Sequence, residues 1–547
     1  MIATPIPQQA GLGRLVREIR AEADRARATP APELTFTLWR RFADTGDRLA
    51  YERAYFERRR RLAALVLAAH LDGRPDPALD DLLWSVCDER TWVLPAHEPQ
   101  DRPGEAFVDL FAAETGHTLA EAATLLDGLA DPRVLARVRE EVDRRVLRPL
   151  YADPAPMWWE SARHNWPAVC AGAAGMAALA LGSPHLPALL PRLRGAMEAF
   201  LSGAGRDGAC LEGPDYWTYG FGYFTYFAEA LREHTGEDLL DDPHVREMAA
   251  YPARIDLGDG ARPAFADAHG EGGYPLGLLC RLSGRLGVPL PVRTGEPSFH
   301  EDPCYRWAHL SRTLWWSQDV PETGPEPHSY LPDAAIVVAR SDGTAFAAKG
   351  GHNDEPHNHL DLGHFVLRGH GRTLLDDLGA PEYTRDYFRE GRYQVPHASA
   401  EWHSVPLIDG AGQQPGPGRR AVVVAHAAGD GALTFALDLT AAYDAPALDR
   451  LVRTFRWRAG RLELEDDFTL GSGEALVEEL FVSRVRPSVE PGRVTWGPLA
   501  LAVPPGWRAQ AEERDVRGHR GESETIHRVR LTARVPSGAH RFVFTVE

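Results

Sequence analysis

Residues 350–365 read GGHNDEPHNHLDLGHF, residues 374–388 read LLDDLGAPEYTRDYF, and residues 403–410 read HSVPLIDG. The first run sets His357 and His359 at i and i+2 inside a polar cluster of His352, Asn353, Asp354, Glu355, Asn358 and Asp361, next to apolar runs. Side chains at i and i+2 share one face of an extended strand, which predicts that the two imidazoles project together while Asp377 and His403 arrive from neighbouring strands. A cluster this polar is too costly to bury without partners. Imidazole and carboxylate are both acceptable zinc ligands, so the block points to a metal or proton-transfer site, with a solvated loop as the alternative. The i, i+4 pairing that makes H-E-x-x-H diagnostic is absent.

Outward from this block the periodicity is that of short strands. AAIVVARS (334–341), TAFAAKGG (344–351), GALTFALDL (431–439), LDRLVRTFRWRAGRLELEDDFTL (448–470) and HRFVFTVE (540–547) are alternating or apolar runs broken by Gly-containing turns, as in an antiparallel β-sandwich. Toward the N-terminus the period changes. RLVREIRAEADRAR (14–27), YFERRRRLAALVLAAHL (55–71), FVDLFAAETGHTLAEAATLLDGL (107–129) and NWPAVCAGAAGMAALALG (165–182) are helix-length segments separated by Pro, Gly and Asp breakers. A long series of such helices argues for an all-α domain, and a toroid of helical pairs buries both faces of the series. The predicted fold is an (α/α) toroid over residues 1–325 followed by an antiparallel β-sandwich over 326–547, joined through the proline-rich VPETGPEPHSYLP (320–332).

A chain of 547 residues exceeds the size at which one core stops growing, so more than one domain is expected. With 44% hydrophobic and 25% charged residues it has the composition of an ordinary soluble globular protein, and core burial is not limiting. The net charge of −18 repels nucleic acid and anionic membranes, so neither is expected as a partner, and an anionic substrate would need a locally basic pocket. Lys349 is the only lysine. Arginine abundance therefore reads as codon bias and carries no signal for anion binding by itself. Cys87, Cys170, Cys210, Cys280 and Cys304 form no C-x-x-C pair and are odd in number, which predicts buried thiols. The first residues lack the order of a secretory signal, and no apolar run approaches the ~18 residues of a membrane span, so the expected location is cytoplasmic.

Two helical-half segments carry further polar groups. His164 and Asn165 begin an otherwise apolar helix, where capping is the plain reading. EGPDYWTYG (212–220) sets Tyr216 and Tyr219 at i and i+3, on one face of a helix starting near Pro214, where core packing is the plain reading.

The histidine block, LLDDLGAPEYTRDYF and HSVPLIDG together resemble the C-terminal signature of the heparinase II/III family of polysaccharide lyases, and HNWPAV and EGPDYWTYG resemble its N-terminal site segments. That resemblance implies β-elimination on glycans containing uronic acid, whether glycosaminoglycan or alginate, leaving a 4,5-unsaturated uronate end. By position it implies that Asn165 neutralises the uronate carboxylate with His164 beside it, and that Tyr216 acts as acid and also serves as base, with Tyr219 in reserve. His357 would be the proton-transfer partner. Arg163 and Glu212 would help bind substrate, and Tyr387, with Tyr383 as its rival, would reach the cleft. His359, Asp377 and His403 would hold a structural zinc, Asp376 leaving the carboxylate ambiguous by one position. A phenol of ordinary pKa ~10 is a poor base at neutral pH and needs a cationic neighbour, for which Arg163 and His357 are the candidates.

The missing export signal and the acidic net charge favour an imported oligosaccharide and exo attack. The expected partner is that glycan, and a homodimer is left open. Two competing readings remain: an (α/α)-barrel glycoside hydrolase using Glu212 and Asp267 as its carboxylate pair, and a non-catalytic carbohydrate-binding protein.

Overall fold

The computed structural model describes residues 11–99, 107–291, 295–319 and 323–546. Residues 1–10 and residues 320–322 of the proline-rich join lie outside them.

Helices run from Gly13–Ala28 to Trp307–Trp316, and strands follow from His328–Leu331 onward. The helices are of two kinds. Pro132–Val142 buries one stripe, Val134, Leu135, Val138 and Val142, and turns its arginines and glutamates outward. Leu110–Leu125 and Asn165–Leu181, rich in Ala, Gly and Leu, are buried nearly all round. Such helices need neighbours on every side and form the inner layer of a ring whose outer layer is amphipathic. Polar bonds tie the C-terminal part of the helical series back to its first helix and to Leu110–Leu125. Glu18 of the first helix accepts from the Ser298 hydroxyl at 2.6 Å and the Phe299 amide at 2.8 Å. Arg312 of the last helix donates to both oxygens of buried Glu121 at 2.6 Å each, and Trp307 Nε1 adds a third bond.

The strands form two large antiparallel sheets. A five-stranded sheet runs in chain order through His328–Leu331, Ile336–Ser341, Thr344–Lys349, Phe365–Gly369 and Arg372–Leu375. A ten-stranded sheet is built on the long pair Arg461–Ser483 and Ser523–Val546. Between the two sheets lie Val337, Phe346, Phe365, Phe435, Phe455, Trp457 and Phe481. The small sheet is also the floor of the toroid, because its alternate residues Ile336, Val338, Ala345, Ala347 and Val366 belong to the helical core. A strand buried on both faces reads as a continuous apolar run, which is why IVVA and AFAA show no polar alternation. The architecture is a helical toroid followed by an antiparallel sandwich, with one sheet shared between the two cores.

Candidate active site

A cavity of about 1070 Å³ opens where the toroid meets the sheets, lined by His164, Asn165, Glu212, Tyr216 and Asp267 from the helical half and by His357, Tyr383 and Arg392 from the strand half. Its organising group is Asp267. This carboxylate is buried and accepts from His357 Nδ1 at 2.6 Å, His359 Nε2 at 3.0 Å, Arg392 Nη2 at 3.4 Å and the Tyr387 hydroxyl. Burial opposes its ionisation, but His357, His359 and Arg392 hold it well below the usual carboxylate range. Two glycines admit its loop. Gly213, at φ +102°, leads into the helix carrying Tyr216, and a Cβ there would lie 2.8 Å from Phe265 O and from Ala268 Cβ. At Gly379, φ +66°, a Cβ would lie 2.0 Å from Ala268 O, the oxygen that accepts from Ala380 N at 3.1 Å.

His357 and His359 do not sit on a strand. They follow the short strand His352–Asn353 in a turn, with His357 at φ +59°, a left-handed conformation that costs about 1–3 kcal/mol for such a residue. The turn, and not strand alternation, aims both imidazoles at Asp267. Nor do strands deliver Asp377 and His403: the former lies past the end of Arg372–Leu375 and the latter follows a short 3-10 turn, Ala400–Trp402.

The Tyr216 hydroxyl lies 2.7 Å from that of Tyr383, and its ring stacks on the His357 imidazole with centroids 4.3 Å apart. Burial, then the charge of Asp267, pushes the Tyr216 phenol well above its ordinary pKa, and Tyr383 is raised for the same reasons. The cationic relief expected from Arg163 is missing, because that side chain is exposed and stands outside the cavity lining. Tyr216 is therefore held as a protonated phenol. Tyr219 lines the same cavity but faces Arg306, whose guanidinium lies 4.0 Å from its ring centroid. A π turn, Trp217–Phe221, breaks the i, i+3 register between the two tyrosines. The capping reading holds for this helix start with His164 as the cap, its Nδ1 facing Trp166 N at 3.4 Å. Asn165 is buried, its amide oxygen has no partner, and its backbone N–H donates to Glu212 Oε2 at 2.8 Å. Burial raises the Glu212 carboxyl to about 7, against the pull of His357, whose Nε2 is 3.6 Å from Oε1. Tyr387, expected at the cleft, is fully buried on Asp267, and its rival Tyr383 reaches the cavity.

Behind Asp267 lies a second cluster. One potential ligand atom from each of His359, Asp361, Asp377 and His403 falls within 4.8 Å of the others, all four residues being buried. The hydrogen bonds settle which nitrogens are free. His359 Nε2 donates to Asp267 and His403 Nδ1 to Ser399 O at 2.8 Å, which leaves His359 Nδ1, His403 Nε2 and Asp377 Oδ2 without hydrogen bonds, His403 Nε2 standing 3.7 Å from Asp377 Oδ1. Imidazoles fixed through one nitrogen and orphaned at the other are arranged as metal ligands are. His364 differs: its Nδ1 accepts from Ser404 N at 2.8 Å, so its proton sits on Nε2, 3.5 Å from Asp377. Asp376 is bound by Arg484 at 2.7 Å and faces away, so Asp377 is the carboxylate in the cluster. Asp361, also paired with Lys349 at 2.9 Å, was noted in the sequence only as part of the polar block. The roles of Asp267 and Arg392 rest on contacts 90 or more residues apart, for which the sequence offers no spacing rule.

No protein-family model matches the chain, and no curated protein matches it significantly. Solved structures do. Heparinase III superposes with a TM-score of 0.68 at 13% identity, covering 99% of this chain and 87% of that one. The fold is that of the heparinase-like lyases. A heparan sulfate lyase mutant from Pedobacter heparinus gives 0.62 at 15% identity, covering 100% and 84%. The chondroitin AC lyase of Streptomyces coelicolor A3 gives 0.58 at 14%, covering 97% and 79%.

Proposed function

We propose that this chain is a lyase that cleaves glycans containing uronic acid by β-elimination. The observation that carries the reading is the meeting of Tyr216, Asn165 and Glu212 from the toroid with His357 from the sheet half on one cavity. The similar structures bear the names of heparan sulfate, chondroitin and xanthan lyases, which favours a polysaccharide as the substrate.

In this mechanism the side-chain N–H2 of Asn165, on the cavity wall, donates to the uronate carboxylate and takes up the charge that develops as the C5–H bond breaks. His357, with Nδ1–H bound to Asp267, presents its Nε2 lone pair as the base. The electron pair from C5 forms the C4–C5 double bond, the C4–O bond breaks, and the protonated Tyr216 delivers its proton to the departing oxygen. The imidazolium and phenolate left behind are stacked neighbours, and their proton balance is restored without consuming water. Asp267 is a poor candidate for a glycosidase carboxylate, because both its oxygens are taken by His357, His359, Arg392 and Tyr387.

His359, His403, Asp377 and Asp361 would hold a zinc ion, which their orphaned buried atoms fit. Bound there, zinc would fix the loops beneath the cavity and the orientation of His359.

Incubation with uronate oligosaccharides tests the reading. Elimination yields an ultraviolet-absorbing conjugated alkene; reducing ends without absorbance would indicate hydrolysis, and binding without either product would leave a carbohydrate-binding protein.

A further inference from the structure

The cavity carries four arginines that its catalytic groups do not use. Arg53, Arg385, Arg389 and Arg520 all line it, and no carboxylate lies in salt-bridge range of any of them among the described residues. The other cavity arginines are committed: Arg48 to Glu52, Arg262 to Asp215, Arg306 to Glu114 and Asp302, and Arg392 to Asp267. Of the acidic groups close by in the chain, Asp47 pairs with Arg41 at 2.6 Å, and Glu382, which also approaches Gly521, lies 3.9 Å from Arg517 and beyond ion-pair range of Arg53. Acidic residues outnumber basic ones by 78 to 60, so leaving four guanidinium groups without a carboxylate on one cavity, Arg385 holding only the Ala43 carbonyl at 2.9 Å, runs against the composition.

These arginines come from three segments that are pinned together across the junction of the two halves. Asp47 bridges Thr384, Pro381 bridges Gly518, and Arg385 N donates to Gly46 O at 3.3 Å. The Arg53 guanidinium packs at the hairpin tip that carries Arg520, 3.5 Å from where a Cβ on Gly521 would stand. Like charges held on a scaffold without counter-ions repel one another, a cost that an anion bridging them would remove.

We infer that this arginine wall is a subsite for a second anionic substituent, a sulfate or a further carboxylate, on a sugar neighbouring the uronate that is cleaved. The inference rests on the lyase reading for its sugar frame. A planar fork fits both carboxylate and sulfate, so the site selects densely charged glycans over those that alternate a uronate with a neutral sugar.

The test uses the full chain and Arg389→Gln/Arg520→Gln, two exposed positions whose side chains make no internal hydrogen bond or ion pair among the described contacts. Calorimetry measures binding of three oligosaccharides of equal length: an oligouronate, a sulfated glycosaminoglycan fragment, and an unsulfated fragment alternating uronate with a neutral sugar. The expected result is at least ten-fold tighter binding of one or both densely charged ligands than of the third, a preference abolished in the double variant while affinity for the third changes less than two-fold. Which charged ligand shows the preference identifies sulfate or carboxylate. Equal losses on all three ligands, no loss on any, or no binding to the wild type would overturn the inference. Absorbance run in parallel separates the two claims: turnover without arginine-dependent preference sinks only the subsite, and arginine-dependent preference without an alkene product sinks only the lyase.

Discussion

The hydroxyls of Tyr216 and Tyr383 stand 2.7 Å apart, one phenol from each half of the chain. Both are half-buried with their pKa values raised, and both rings stack on His357, Tyr216 closely at 4.3 Å and Tyr383 more distantly at 6.3 Å between centroids. Tyr216→Phe should lower kcat by about 10³-fold with the melting temperature nearly unchanged, the scale expected for losing a general acid. Tyr383→Phe should cost less, since it removes only a neighbour of the acid. Equal losses, or near-normal turnover in Tyr216→Phe, would move the acid elsewhere.

Asp267 joins the imidazole of the cavity to that of the cluster behind it. Asp267→Asn should cost turnover through His357 and weaken metal through His359, by roughly 10–100-fold in affinity as for other outer-sphere partners. Stability should fall by about 3–5 kcal/mol, because Arg392 and the imidazoles lose their counter-charge. Turnover, metal titration and urea unfolding read the three effects, and loss of one without the others would show that the carboxylate does not couple the sites.

His357→Ala should remove turnover and leave bound zinc in place, whereas His403→Ala or Asp377→Asn should release it and lower the melting temperature. Atomic emission on the purified variants decides. Retention of a full equivalent of metal in His403→Ala would strike that residue from the ligand set.

Glu212 holds its proton more tightly in the fold than in the unfolded chain, so folded-state stability should decline as pH rises from the unfolded pKa toward the folded one. Burial raises it from 4.5 to about 7, and the wild type should lose roughly 3 kcal/mol relative to Glu212→Gln across that window. Urea unfolding of both proteins at the two ends of the window measures the difference. Parallel pH profiles would mean that the carboxyl is solvated in solution.

Much of this arrangement is legible in residues 350–410, because metal and proton-transfer chemistry leaves histidines and aspartates in apolar surroundings where they are conspicuous. The helix and strand periods likewise mark both halves. The losses have physical causes. A strand was expected at His357 because i, i+2 spacing fits one, but a positive φ cannot be read from a histidine. Tyr216 and Tyr219 were expected to share a face because the π turn between them has no local signature. Arg163 was expected in the site as a substrate-binding residue and cationic neighbour of the tyrosine, but its side chain is exposed outside the cavity lining. Asp267 stood out only as half of a glycosidase pair with Glu212, and its tie to the histidine block was hidden because its four donors come from distant segments.

The sheet that belongs to two cores sets a limit on dissection. Severing the polypeptide after residue 325 would strip the ring of Ile336, Val338, Ala345, Ala347 and Val366 and leave an oily flank on each product. Neither fragment should persist as a monomer, and a catalyst assembled across that seam can be lost to aggregation without any change to its reacting groups.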